Sequence, residues 1–208
     1  MKNKIIIDYL YSLIPNPRCE LNYHEYYELL IAVMLSAQTK DSRVNQVTSI
    51  LFKKYPDLHS LASANYDDIV SIIKPLGTYH KKAKNIIGIA QALEPLACVP
   101  NDRVFLESLP GIGRKSANVF LSEIYNIQVL AVDTHISRVA KRLNYAKEND
   151  DVRKVENKLT LSFKNNYNLR DIHHLLLLFG RYYCTAKSPK CKDCKLKEYC
   201  KYYASKKS

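Results

Sequence analysis

The sequence contains the segment Leu109-Pro110-Gly111-Ile112-Gly113, followed directly by Arg114-Lys115-Ser116-Ala117. This segment holds two of the five glycines in the 208-residue chain, and its Pro-Gly pair is typical of a tight turn. The segment therefore predicts a turn that opens a helix. Gly111 and Gly113 would let another molecule approach the backbone without a Cβ in the way, and amides at such a turn can bind an anion. An ordinary turn between two helices is the simpler alternative, and this stretch alone does not exclude it.

On both sides of this stretch, apolar residues recur at the helical spacing i, i+3, i+4, i+7. The clearest stripes are Ile6, Tyr9, Leu10 and Leu13; Ile69, Ile72, Ile73 and Leu76; Ala117, Phe120, Leu121 and Ile124; Ile136, Val139, Ala140 and Leu143; and Ile172, Leu175, Leu176 and Phe179. Looser stripes run through Val44, Val47 and Leu51 and through Ala83, Ile86, Ala90 and Leu93. No segment shows sustained alternation of period two beside a hairpin turn. The predicted fold class is therefore all-α.

The segment from Leu29 to Leu35 is apolar on every side and predicts a helix enclosed by other helices. Its seven residues form the longest unbroken apolar run, far short of the roughly twenty needed to span a membrane. Near the N-terminus, Asp8 interrupts the apolar residues, which argues against a signal peptide. We therefore expect an intracellular protein of the cytoplasm or nucleoid. The polar stretch 144–152 predicts a loop.

The chain carries 32 Lys and Arg residues against 20 Asp and Glu residues, a formal net charge of +12. Two segments hold almost all of the surplus: residues 181–208, with nine basic and two acidic residues, and residues 74–88, with four lysines and no acid. Such a charge suits a partner made of phosphates, and two solvated lysine-rich faces explain it equally simply. Charge alone therefore leaves nucleic-acid binding as one of two interpretations.

Two residues near the turn have side chains suited to catalysis. Lys115 lies in the first turn of the predicted helix, opposite its apolar stripe, where the helix dipole disfavours an ammonium group and lowers its pKa. A lysine that must be neutral to attack carbon benefits from this placement, and an ordinary exposed lysine is the alternative. Asp133 precedes the stripe that begins at Ile136 and occupies the position of an N-cap, a structural role that needs no further function.

Four of the six cysteines crowd into the C-terminal part of the chain with the spacing Cys-x6-Cys-x2-Cys-x5-Cys; they are Cys184, Cys191, Cys194 and Cys200. This density predicts a metal site, because a chain of this size does not need disulfides. A zinc ribbon uses two short Cys-x2-4-Cys pairs, and only one is present here. Three unequal loops suit a [4Fe-4S] cluster better, and zinc remains the main competitor. Cys19 and Cys98 are isolated and are expected to be buried as small apolar residues.

The hairpin stretch, the segment Val132-Asp133-Thr134-His135 and the cysteine spacing, in this order, resemble the endonuclease III family of the helix-hairpin-helix DNA glycosylase superfamily. Further matching stretches are Leu29-Leu-Ile-Ala-Val-Met-Leu-Ser-Ala-Gln38, Val99-Pro-Asn-Asp-Arg103, and His173-His174 through Gly180-Arg-Tyr182. The resemblance covers nearly the whole chain. It implies two helical lobes that flank a DNA-binding cleft, with Lys115 on one wall and Asp133 on the other. A six-helix barrel with the hairpin would span residues 20–128, and a discontinuous cluster lobe would combine residues 1–19 with 129–208, its [4Fe-4S] loop at 184–200.

The resemblance implies a base-excision-repair enzyme, a DNA glycosylase with abasic-site lyase activity that removes oxidised pyrimidines from duplex DNA. The damaged base would be flipped out, and neutral Lys115 would attack C1′ of its sugar. The resulting Schiff base would permit β-elimination of the 3′ phosphate. Asp133 would stabilise positive charge at the sugar and help to move the lysine proton. Duplex DNA with a damaged pyrimidine or an abasic site would be the partner of a monomeric protein.

The implied DNA contacts are the hairpin residues Gly111, Ile112, Gly113 and Arg114, the helix end at Gln38, the loop residues Thr78 and Tyr79, and the lysines Lys187 and Lys190. The hairpin would hold a phosphate without reading sequence, and Gln38 would enter the space that the flipped base leaves. Thr78 stands where the family commonly places a bulkier apolar wedge. Tyr79 is therefore a candidate wedge, and packing of Tyr79 beneath the loop is the alternative.

Two other functions are alternatives to a glycosylase with lyase activity. An adenine-mismatch glycosylase shares the cysteine pattern, but it lacks the lysine and adds a C-terminal recognition domain. A non-enzymatic DNA-binding protein with a structural metal would have no use for a nucleophile at Lys115 or a carboxylate at Asp133.

Overall fold

The structure is a computed structural model that describes residues 1–206. All regular elements in these residues are helical and none is a strand, which confirms the all-α prediction. No helix among the described residues is long and apolar enough to cross a membrane. Lys207, which contributes to the basic C-terminal segment, lies outside the described residues.

The chain divides into two compact units. The hairpin unit is Cys19–Tyr125, and the cysteine unit combines Met1–Arg18 with the chain from Asn126 onward. The unit boundaries fall after residues 18 and 125. The hairpin motif with Lys115 belongs to the first unit, and Asp133 with the four clustered cysteines belongs to the second.

The hairpin unit is built around one helix that is buried on all sides. Its helices are α2 (Tyr26–Leu35), α3 (Asp41–Lys54), α4 (Leu58–Ala62), α5 (Tyr66–Ile73), α6 (Tyr79–Leu93), α7 (Arg103–Ser108) and α8 (Arg114–Tyr125). In α2, each residue from Leu29 to Leu35 is at most 3 % exposed, as the uniformly apolar sequence predicts. The helix begins at a capping box, in which the Glu28 carboxylate accepts hydrogen bonds from the His24 and Glu25 amides at 2.6 and 3.2 Å. It packs against α3, α6 and α8, so the hairpin helix rests directly on the core.

The cysteine unit packs its helices around a separate core. They are α1 (Lys2–Leu13), α9 (Thr134–Arg142), α10 (Val152–Phe163), α11 (Leu169–Tyr182) and α12 (Lys201–Ser205). The polar stretch before α10 is a connection between helices, as predicted. Side chains of Asp133, Asp151 and Asn168 cap the N-termini of α9, α10 and α11.

Two features differ from what the sequence alone indicates. The helices α4, α7 and α10 have no counterpart among the stripes identified above: α4 and α7 are too short to repeat the helical spacing, and in α10 the buried apolar residues Val155, Leu159 and Phe163 recur only at every fourth position. Cys98 is exposed, so its prediction as a buried residue is wrong: it lies in the turn region that follows α6. Cys19 is only partly exposed, and burial raises the pKa of its thiol to about 12.

Candidate active site and cysteine cavity

The hairpin turn has the geometry that its Pro-Gly pair predicts. The Ile112 amide donates a hydrogen bond to the Leu109 carbonyl at 3.1 Å, which closes a four-residue turn. Gly111 has φ +79°, a value that a type II turn requires at its third position and that favours glycine. The Ala117 amide then donates to the Gly113 carbonyl at 3.0 Å, so α8 begins immediately after the turn.

Two backbone donors of this turn remain available to another molecule. Gly111 and Gly113 are exposed, and no acceptor within residues 1–206 receives a hydrogen bond from either amide. Ile112, by contrast, is 4 % exposed and its amide is used within the turn. Of the predicted hairpin contacts, the two glycine amides are therefore the donors that can meet a phosphate.

The turn packs against α6 through contacts that were not predicted from the sequence. A Cβ added at Gly88 would lie 2.9 Å from Pro110, and one added at Gly111 would lie 2.2 Å from the Asn85 amide nitrogen. Asn85 and Gly88 thus fit the hairpin against α6. The available signal was Gly88 itself, since a glycine inside a helical pattern often marks close packing.

Lys115 lies on the exposed side of α8. Its neighbours Ala117, Phe120 and Leu121 are buried, which confirms the prediction that Lys115 points away from the apolar stripe. Arg114 is half-buried at the first position of the same helix. The hairpin therefore places the Lys115 side chain at the second residue of α8, whose N-terminal backbone amides face outward.

Asp133 is the N-cap of α9, as predicted. Its Oδ1 accepts a hydrogen bond from the Ile136 amide at 2.8 Å, and its other carboxylate oxygen has no hydrogen-bond partner in the described part of the chain. The half-buried carboxylate lines a cavity of about 990 Å³ together with Ser137, Arg138 and Arg142. The cap uses one oxygen, so the other is available for chemistry.

The backbone that leads to Asp133 is held from α11. The His173 ring nitrogen Nδ1 lies 2.9 Å from the Ala131 carbonyl oxygen, and His173 is 5 % exposed. Gly180 lets α11 approach closely, because a Cβ there would lie 3.0 Å from that of His135. These contacts limit the movement of the carboxylate.

The four clustered cysteines line one cavity in the cysteine unit, with a volume of about 230 Å³. Its other walls include Phe179, Leu196 and Tyr183. Burial raises the pKa of the Cys184 and Cys194 thiols, and neighbouring thiols act in the same direction. Within residues 1–206, no three His, Cys, Asp or Glu side chains are grouped closely enough to hold a single metal ion.

Arg142 connects α9 to this cavity, and the sequence did not single it out. Its Nη1 donates to the Cys184 Sγ at 3.2 Å and to the Thr185 carbonyl at 2.8 Å, and its Nη2 donates to the Ala186 carbonyl at 3.2 Å. The guanidinium also lies over the Tyr202 ring, 4.0 Å from its centroid. Arg142 therefore organises the start of the loop that carries Lys187 and Lys190.

Of the remaining predicted DNA contacts, four lie on exposed loops, and Tyr79 is the first residue of α6. Lys187 and Lys190 are exposed, and the Lys190 ammonium lies 5.0 Å from the Tyr183 ring centroid. Gln38 and Thr78 are exposed and both adopt positive φ, +57° and +44°. Tyr79 is half-buried, with its ring 4.6 Å from that of His80. Left-handed non-glycine residues are uncommon and concentrate at functional sites.

Residues 31–165 match the model of the HhH-GPD superfamily of base excision DNA repair proteins, so the glycine turn between α7 and α8 is that of a helix-hairpin-helix protein. The structure of a thermostable thymine-DNA glycosylase, 21% identical in sequence, shares the fold with a TM-score of 0.86.

Closer relatives are similar over most of the chain. Endonuclease III of Rickettsia felis is 42% identical over 193 residues, which cover 92% of this chain and 90% of the relative. Endonuclease III of Escherichia coli is 40% identical, with 90% and 89% covered. The structure of a trapped endonuclease III–DNA covalent intermediate is 38% identical, with a TM-score of 0.89 and coverage of 100% of this chain and 99% of that chain.

The chain belongs to the endonuclease III family. Its activity is that of a bifunctional DNA glycosylase and abasic-site lyase of base excision repair. The alternative of a non-enzymatic DNA-binding protein is not favoured by these similarities.

Proposed function

We propose that the enzyme removes oxidised pyrimidines from duplex DNA and that Lys115 is its nucleophile. The observation that carries this proposal is the exposed amine of Lys115 in the first turn of α8, directly after a glycine turn with two available amides. A phosphate held by Gly111 and Gly113 would bring the sugar of a flipped nucleotide to this helix N-terminus. Solved complexes of an endonuclease III relative with DNA, including a trapped covalent intermediate, support the assignment.

Lys115 is assigned a role in both activities, the release of the base and the cleavage of the strand at the abasic site. Its neutral Nζ forms a bond to C1′ while the bond from C1′ to the base breaks, and the base leaves with a proton. Opening of the sugar ring then gives a Schiff base between Nζ and C1′. Loss of a proton from C2′ breaks the bond from C3′ to its phosphate oxygen, so the strand is cut on the 3′ side. Hydrolysis of the Schiff base frees Lys115 for another cycle.

We assign to Asp133 the role of the carboxylate that stabilises positive charge at the sugar and helps to move the lysine proton. The carboxylate oxygen that is not engaged in the α9 cap supports this role, because an ionised oxygen can act there without loss of the cap. Asp133 is thus proposed to combine a structural and a chemical function.

The other DNA contacts are assigned by the same reasoning. Gln38 is proposed to fill the gap left by the flipped base, and Thr78 or its neighbour Tyr79 to enter the stack as a wedge. Exposure and left-handed backbone at Gln38 and Thr78 support these roles. Lys187 and Lys190 are proposed to contact backbone phosphates, for which their exposed ammonium groups are suited.

The four cysteines Cys184, Cys191, Cys194 and Cys200 are proposed to hold a [4Fe-4S] cluster, a group that the family carries. The residues present fit such a group. All four line one cavity of about 230 Å³, so their thiols share one space. A cubane takes one thiolate on each of its four irons, which matches four separate thiols around one space. When bound, it would crosslink the C-terminal loops to α11, and we propose no step of the reaction for it.

Trapping with borohydride tests the nucleophile. Wild-type protein mixed with abasic duplex DNA and sodium borohydride is expected to form a one-to-one covalent adduct through reduction of the Schiff base. Lys115→Ala should form no adduct and release no base, while it still binds the duplex, because the hairpin amides are unchanged. Lys53→Ala, which truncates an exposed lysine at the end of α3, is the matched control and should be trapped like wild type. An adduct at normal yield with Lys115→Ala would refute the assignment.

Metal analysis tests the cluster. Protein purified without oxygen is expected to be brown and to contain about four irons and four sulfides per chain. Cys98→Ser changes an exposed cysteine outside the cavity and should leave this content unchanged, whereas Cys194→Ser should lower it. A measured content of one zinc per chain, without iron or sulfide, would show that the cysteines hold zinc and not a cluster.

A further inference from the structure

Lys82 is a buried lysine that joins two loops of the hairpin unit. It lies in the first turn of α6 and is only 5 % exposed. Its ammonium donates hydrogen bonds to the Leu76 carbonyl at 3.0 Å, to the Ala37 carbonyl at 3.1 Å and to the Thr39 Oγ1 at 3.1 Å. All three protons of the ammonium are therefore used inside the protein. Lys82 therefore takes part in neither of the two interpretations of the basic segment 74–88, since its ammonium faces neither solvent nor a partner outside this junction.

The acceptors of the Lys82 side chain lie close to two residues of unusual backbone conformation. Ala37 and Thr39 stand on either side of Gln38, which has φ +57°. On the second loop, the Lys82 ammonium bonds to the Leu76 carbonyl, two residues before Thr78, which has φ +44°. A left-handed conformation is disfavoured for these residues, so the loops keep it only where neighbouring contacts hold them.

Thr39 adds a direct bond between the same two loops. Its Oγ1 accepts from Lys82 and donates to the Leu76 carbonyl at 3.0 Å. The two loops thus meet at one polar junction formed by Lys82, Thr39 and the Leu76 carbonyl. Removal of the ammonium would leave the buried Leu76 carbonyl with the Thr39 hydroxyl as its donor and would take away the side-chain bond to the Ala37 carbonyl, so each loop could relax.

We propose that Lys82 is a positioning residue for base extrusion, which holds the exposed side chains of Gln38 and Thr78 at a fixed separation as they enter the DNA stack. The inference rests on the proposed function, in which Gln38 fills the vacated space and the Thr78 loop supplies the wedge. Lys82 itself touches neither substrate nor nucleophile. Burial lowers the pKa of Lys82, as expected for an ammonium that is removed from water to serve this junction.

The test compares two substrates that differ in the need for extrusion. One duplex carries an oxidised pyrimidine, and the other carries a pre-formed abasic site from which no base has to be removed. Lys82→Met keeps the length of the side chain and removes its donors. It should slow base excision by about tenfold or more and abasic-site cleavage by less than about threefold, because only excision needs the aligned loops. Lys81→Met removes the same charge from the exposed neighbour and should change both rates by one common factor.

A spectroscopic signal separates positioning from a purely structural role. A 2-aminopurine placed beside the lesion should brighten when wild-type protein enters the stack, and Lys82→Met should weaken this signal at saturating protein. Thr39→Val removes one acceptor and the bond to Leu76, and should produce the same selective loss to a smaller degree. If Lys82→Met fails to fold, the Thr39→Val measurement decides the question.

Two results would overturn the proposal. One is an equal loss of rate on the damaged duplex and on the abasic duplex with either variant. The other is excision and 2-aminopurine brightening at the wild-type level in both variants. Absence of a borohydride adduct with wild-type protein would instead reject the proposed function. The two failures are therefore distinguishable.

Discussion

Replacement of Gly111 by Ala should destabilise the hairpin unit, whereas the same change at Gly113 should not. An alanine at φ +79° costs about 1–2 kcal/mol for its left-handed backbone. Its Cβ would lie 2.2 Å from the Asn85 amide nitrogen and 3.2 Å from the Met34 Cγ, and such overpacking costs about 1–3 kcal/mol. Reduced backbone freedom of the unfolded chain offsets about 0.4–1 kcal/mol of this. The net loss is therefore about 1–5 kcal/mol.

Urea unfolding followed by circular dichroism measures this loss, with Gly113→Ala as the matched control. A Cβ at Gly113 meets no heavy atom within 4 Å, so the free energy of unfolding should change by less than about 1 kcal/mol. The added methyl group lies at the proposed phosphate site, and Gly113→Ala should weaken duplex binding at native stability. If Gly111→Ala unfolds at the same urea concentration as wild type, the turn relaxes freely and the reasoning from its φ angle and contacts fails.

Three further substitutions test the proposed contacts. Asp133→Asn should keep the fold, because the amide oxygen can still cap α9, while single-turnover excision falls by about 10²-fold or more; undiminished turnover would leave Asp133 as a cap alone. Replacement of both Lys187 and Lys190 by Ala should weaken duplex binding and flatten its dependence on salt, measured by fluorescence anisotropy, and an unchanged slope would remove this loop from the interface. Tyr79→Ala should impair excision from damaged duplex far more than cleavage at an abasic site if Tyr79 is the wedge, and an improvement of excision by Thr78→Leu alone would assign the wedge to Thr78 instead.

The local features of the site could be predicted because each depends on neighbours in the sequence. The Pro-Gly pair predicts the turn at Gly111, and the 100° step of a helix predicts that Lys115 points away from the buried face of α8. A polar residue before an apolar stripe predicts the Asp133 cap. An error arose where a residue was judged by type alone, since Cys98 is exposed, and the burial of Lys82 was not predicted.

Most of the helices and the turn before α8 follow from the sequence alone, since periodicity and turn chemistry act within a few residues. Which distant groups meet depends on the tertiary structure. Lys82 bonds to a carbonyl 45 residues away, and Arg142 reaches the Cys184 thiol 42 residues away. A lysine or an arginine in an amphipathic helix has the same local pattern whether it faces water or a buried carbonyl. Its role depends on where packing of the apolar faces brings the partner segments, and that is a property of the whole folded unit.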